Sequence, residues 1–153
     1  MQAKKPLIKK TIEVLRILPK DIDEMWPLVD FMIREALKYG GSWADSSYVK
    51  EQCRVDGMQL FAIYGSDDGI ENKVFGAMVT QFMKVPNFKE YQVLILTGKH
   101  YKLWVDSVIN TIEAMGKLNG CKRISVMSRP GYLKSVIPHG WKVKHYHFVK
   151  EIA

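Results

Sequence analysis

The chain has 153 residues, enough for one domain with a substantial core and too few for two. Hydrophobic residues make up 47% and charged residues 25%, the profile of a globular protein. No apolar run is long enough to span a bilayer and the stretch from Met1 to Lys5 lacks the apolar core of a secretory signal, so a cytoplasmic location without a membrane partner is expected. The net charge of +7, from 23 basic and 16 acidic residues, leans toward polyanionic ligands and does not choose among nucleic acid, anionic lipid and a nucleotide cofactor. No block of five like charges occurs, so a solvated surface is the default reading of the excess.

Residues 1–10 read as a loose basic arm, and residues 11–153 as a single domain. Thr11 to Leu18 alternates as a strand and Pro19 closes it. Asp21 and Glu24 have the spacing of a capping box for a helix whose apolar face runs Ile22, Met25, Trp26, Val29, Met32, Ile33, Ala36 and Leu37. Pro27 is costly inside a helix, so the regular part is expected to begin nearer Glu24, and Gly40-Gly41 ends it. Trp43 falls in a polar turn, where packing over the edge of the core is favoured over a ligand contact. A short helix from Ser46 or Ser47 to Val55 follows. Met58 to Gly65 and Lys73 to Met83 then read as an antiparallel hairpin turning at Ser66 to Gly69. Cys53 and Cys121 lack metal-ligand spacing and are expected to be free thiols.

Tyr91 to Leu96 is a nearly unbroken apolar strand that stops at Thr97-Gly98. From Tyr101 to Leu118, apolar residues at Tyr101, Val105, Val108, Ile112, Met115 and Leu118 mark a helix, and Asn119-Gly120 caps its end. Lys122 to Met127 is a strand again, so the unit is a βαβ crossover and its two strands should be parallel. Pro130 starts a short helix ending near Gly140, and Trp141 to Ile152 is expected to be a final strand. The order is β-α-α-β-β-β-α-β-α-β, an α/β mixed central sheet with helices on both faces.

The turn before the long helix carries the strongest chemical signal. Gly98, Lys99, His100 and Lys102 put cations where the helix dipole is already positive, which costs about 0.3–1 kcal/mol each. A bound anion on the free amides would relieve that cost, and lysines pointing into water are the equally weighted alternative.

The element order resembles that of the GNAT N-acetyltransferase superfamily over nearly the whole chain. Three local stretches carry the similarity: Ile17 to Leu28, the strand ending at Leu96 with its turn into a helix, and His139-Gly140-Trp141. Arg129 to Tyr132 followed by Gly140-Trp141 resembles the version in small phage-encoded members. The resemblance implies acetyl-CoA between the two central parallel strands, with Ile95, Leu96, Thr97, Gly98, Lys99, His100, Tyr101, Lys102 and Arg129 around it. It also implies direct transfer of the acetyl group to an amine of a protein or small molecule, without a metal. The chain departs from the family pattern in two places. His100 and Lys102 stand where the turn has small residues, and Val136 stands where the family has its acid tyrosine.

Under that resemblance, Glu90 is the candidate water-relayed base and Tyr132 the candidate acid; a solvated strand-end glutamate and a packing tyrosine are the competing roles. His139, His145 and His147 are not expected to form a metal site, because only two of them share a strand face. A catalytically inactive binding or virion-associated module with the same fold is the alternative function. A weaker third reading is nucleic-acid binding through Lys142, Lys144, Tyr146 and Phe148, which share one strand face. A homodimer is left open.

Overall fold

The computed structural model describes residues 11–67, 70–128 and 133–152. The basic arm at 1–10, the tip of the hairpin turn and the stretch 129–132, with Arg129 and Tyr132, lie outside the described residues.

Five strands form one sheet in chain order: β1 Thr11–Ile17, β2 Gln59–Asp67, β3 Ile70–Val85, β4 Phe88–Gly98 and β5 Arg123–Val126. The first three pairings are antiparallel. β4 and β5 run parallel, with Tyr91 beside Ile124 and Val93 beside Val126, as the crossover requires. The hairpin strands extend beyond the expected Lys73 to Met83 and Tyr91 to Leu96, because the turn between β3 and β4 is only two residues long.

Helices cover both faces. α1 Ile22–Met25, α2 Asp30–Tyr39 and α3 Ser46–Arg54 lie on one side, where Ile22, Trp26, Val29, Ile33, Leu37, Val49 and Cys53 pack on Leu60, Ala62, Ala77, Val79 and Ile95. α4 Tyr101–Leu118 covers the other, with Trp104, Val105, Val108, Ile109 and Ile112 against Phe61, Ile63, Met78, Tyr91 and Val93. Burial of each such side chain contributes about 1.5–3 kcal/mol, so packing on the sheet rather than helix propensity holds these elements in place. Burial also pushes the Cys53 thiol up to about 12, which keeps it protonated and inert.

Four expectations are corrected. The helix after β1 is broken at Pro27: Trp26–Leu28 is a 3-10 turn and the regular helix begins at Asp30, because proline supplies no N–H to the ladder. Asp21 makes no side-chain cap. Trp141 to Ile152 is not a strand of this sheet: Trp141 is half-buried, residues 142–152 are exposed, and their strand-like composition has no partner to pair with among the described residues. In α4 the buried stripe includes Trp104, whereas Leu118, expected on it, is 81% exposed.

Candidate functional site

The centre of the site is a break in the regularity of β4. Opposite β3, Thr80 faces Val93 and Val79 faces Ile95, so Leu94 is one residue too many and forms a bulge. The alternation of side chains shifts accordingly. Tyr91 and Val93 pack toward α4, Leu94 and Ile95 both pack toward α1 to α3, and Leu96 returns to the α4 side. The parallel ladder with β5 also ends at Val93 and Val126. From Leu94 to Gly98, β4 therefore has a strand partner only in β3 among the described residues. On the side away from β3, no described strand pairs with β4 beyond Val93, because β5 itself ends at Val126.

The chain then turns directly into α4. Gly98 has φ +152°, and a Cβ on it would sit 2.3 Å from the Phe75 carbonyl oxygen and 2.6 Å from the Gly76 Cα. This glycine is thus demanded by close contact with β3. The Lys99 amide donates to the Phe75 carbonyl at 2.8 Å, and the indole Nε1–H of fully buried Trp104 donates to the Lys99 carbonyl at 2.7 Å. Two bonds from two sides fix the turn. His100, the N-cap, adopts the left-handed conformation at φ +58° and ψ +41° with no side-chain cap. Its backbone keeps the shape that glycine would take most easily there, while its ring sits edge-on to Phe75 at 5.9 Å.

Left-handed backbone costs a residue with a Cβ about 1–2 kcal/mol, and glycine escapes that cost. His100→Gly and His100→Ala both lose the ring contact, so His100→Ala should be the less stable of the two by about 1 kcal/mol in denaturant unfolding. Equal stabilities would mean that the turn is not held in this conformation.

A groove of about 680 Å³ runs from the first turns of α4 to α5 Leu133–Val136 and the 3-10 turn after it, lined by Tyr101, Lys102, Asp106, Lys134, Ser135 and His139 among others. The Tyr101 hydroxyl and Ser135 hydroxyl are 2.7 Å apart across it. The one carboxylate on the wall, Asp106, lies 3.3 Å from His139 Nε2. Lys99 and Lys102 are exposed and form no ion pair with a described residue. Uncompensated cations at a helix start that no side chain caps suit a phosphate group. Replacing Lys99 and Lys102 together with alanine should weaken binding of a phosphate-bearing cofactor several-fold at low salt and much less at high salt, since exposed charges are screened. An unchanged affinity at low salt would remove the lysines from the site.

The expected cofactor residues Ile95 to Lys102 are thus brought together at one end of the sheet. Glu90 is not among them. It lies opposite Met83 and beside Arg123, where the ladder is still closed, and accepts a hydrogen bond from Gln92 Nε2 at 2.8 Å. Four strand residues, on the order of 13 Å, separate it from Leu94. Val136 packs against the α4-side core and has no proton to give. Arg129 and Tyr132 lie outside the described residues.

Sequence reading missed the bulge at Leu94, since an unbroken apolar run carries no polar marker of register. It also missed Lys134, Ser135 and Asp106, which only packing brings to the groove. Trp104 was open to detection through its i+4 spacing to Val108 and Ile112.

No protein-family model and no curated protein matches the chain. Solved structures do. A ribosomal-protein-alanine N-acetyltransferase from Brucella melitensis biovar Abortus 2308 superposes with a TM-score of 0.65 at 13% identity, covering 94% of this chain and 100% of that one. An aminoglycoside acetyltransferase from an uncultured soil metagenomic sample gives 0.65 at 15% identity over 94% and 99%. A GNAT family acetyltransferase from Staphylococcus aureus subsp. aureus gives 0.62 at 16% identity over 93% and 99%. At such identities the likeness establishes the fold alone.

Proposed function

We propose that this chain, which has the fold of the GNAT acetyltransferases, transfers an acetyl group from acetyl-CoA to an amine on a protein or small molecule. The observation that carries this reading is the one-sided stretch of β4 from Leu94 to Gly98, which leads straight into the cationic start of α4. Acetyl-CoA would supply the activated acyl group. Its phosphates suit the ammonium groups of Lys99 and Lys102 at the start of α4, with Lys134 across the groove and Arg129 as a further cation. The fit survives the bulky residues in the turn because His100 holds a glycine-like backbone and Lys102 points to solvent.

Backbone N–H groups at Ile95 and Leu96 would stabilise the negative charge that develops on the thioester oxygen. Such preorganised donors are worth about 10²–10³ in rate each and do not depend on side-chain identity. Glu90 lies too far from the bulge for direct proton transfer, so its role is that of a base acting through water, on the face of the sheet it shares with Gln81 and Gln92. Tyr132 would protonate the departing thiolate, since Val136 cannot.

Isothermal titration of the purified protein with acetyl-CoA and CoA tests the reading, and no binding at millimolar concentration would sink it. Given binding, Tyr132→Phe should lower turnover by about 10²–10⁴ with acetyl-CoA affinity intact, and Glu90→Gln should change the pH dependence of the rate. Binding without turnover on any amine would favour the alternative of a catalytically inactive module, the reading that apolar Val136 supports.

A further inference from the structure

We propose that the end of the sheet remote from the groove carries a binding site for the phosphate backbone of a nucleic acid, built from a row of lysines, Lys84, Lys89 and Lys122, with Lys117 beside it. Lys84 and Lys89 are direct partners in the ladder between β3 and β4, and the amide of Lys122 donates to the Lys89 carbonyl at 3.0 Å. Three neighbouring segments thus each bring one lysine to the same level, about 4.8 Å apart from strand to strand. Alternation puts Lys84 with Phe82, and Lys89 with Tyr91, on the α4 side of the sheet. α4 ends there. The Lys89 ammonium donates to the Asn119 carbonyl at 3.1 Å, and Lys117 lies in the last turn of the helix.

Like charges directly opposite in a ladder repel, so Lys84 and Lys89 destabilise the hairpin that holds them. The helix end accounts for part of the excess, because its carbonyls favour Lys89 and Lys117. It does not account for Lys84 and Lys122. Both are exposed, and none of the four lysines forms an ion pair with a described residue. The neighbouring carboxylate, Glu90, is turned to the opposite face by alternation and accepts from Gln92. The other groups present narrow the ligand. Phe82 is engaged by Tyr91, stacked at 4.7 Å, and by Lys89 Nζ, 4.7 Å from its ring centre, so neither ring is free to stack on a base or to anchor a protein. Ammonium groups bind phosphate as point charges and lack the planar fork that matches a carboxylate. A regular row of them suits a repeating phosphate chain, held without regard to base sequence. Lys99 and Lys102 belong to a different site, at the other end of an 18-residue helix about 27 Å long.

Fluorescence anisotropy with a labelled, mixed-sequence DNA duplex of about 20 base pairs tests the row. Affinity should fall with salt at a log–log slope of about −3 to −4, from four lysines at about 0.9 each, and should not change when the sequence is scrambled. Lys84→Ala with Lys122→Ala should reduce that slope by about 2 and weaken binding at low salt by about tenfold or more. The same variant should melt no lower than wild type, since a repulsion is removed and both side chains are exposed. Lys142→Ala with Lys144→Ala, which removes two exposed lysines outside the row, is the matched control and should keep the wild-type slope. Absence of binding at low salt would overturn the proposal, as would a wild-type slope in the row variant or a loss confined to the control. Tighter binding of polyglutamate of equal charge, or of phosphatidylserine vesicles, would also overturn it, by assigning the row to an acidic protein or to a membrane.

Discussion

Trp104→Ala should destabilise the chain by about 3–5 kcal/mol, the range for emptying a fully buried aromatic site. The indole is completely buried in the α4-side core, edge-on to Tyr101 at 6.1 Å, and also holds the Lys99 carbonyl. Two losses coincide: the hydrophobic volume, and the side-chain hydrogen bond to the turn before α4. Trp104→Phe separates them. It keeps most of the volume and leaves the carbonyl without its donor, at about 1–3 kcal/mol. Denaturant unfolding should therefore rank wild type above Trp104→Phe above Trp104→Ala. Acyl-CoA affinity should already fall in the phenylalanine variant, since the turn is then held only through the Lys99 amide. A phenylalanine variant with wild-type stability and affinity would show that the brace does not matter.

Gly98→Ala should cost about 2–4 kcal/mol, because the added carbon meets backbone rather than a movable side chain. The Phe75 carbonyl and Gly76 Cα cannot yield without parting β3 from β4 at the end of their ladder. Gly120→Ala is the matched control. It has φ +69° with nothing within 4 Å of the added carbon, so only the conformational strain of about 1 kcal/mol is expected. Similar melting shifts for the two variants would mean that Gly98 is retained for its φ alone. Binding should separate them as well, with acyl-CoA affinity lost in Gly98→Ala and kept in Gly120→Ala.

What both variants probe is a proposed site in which backbone contributes more than side chains. His100 and Lys102 stand where the resembling family has small residues, yet the helix start has no side-chain cap and keeps its left-handed entry. The groove wall is more ordinary. Its cations, Lys102 and Lys134, come from two helices and one acid, Asp106, is engaged by His139.

The sequence by itself determined the elements that announce themselves through periodicity or punctuation. The α4 helix begins and ends where the apolar spacing and Asn119-Gly120 place it, and the parallel pairing of β4 with β5 follows from a helix that must pack back on the sheet. The cationic turn at Lys99 to Lys102 was legible too, as a charge pattern at a helix start. Tertiary structure alone decided the rest. Whether Leu94 is in register depends on what β3 offers across the ladder, and an apolar run reads the same with or without a bulge. The distance of Glu90 from the bulge, on the order of 13 Å, follows from strand rise and is not visible in sequence proximity. Trp141 to Ile152 has the composition of a strand and no partner in its own sheet. Composition states that a segment is able to pair, and only an available edge makes it a strand, because the hydrogen bonds that define one belong to two segments and not to one.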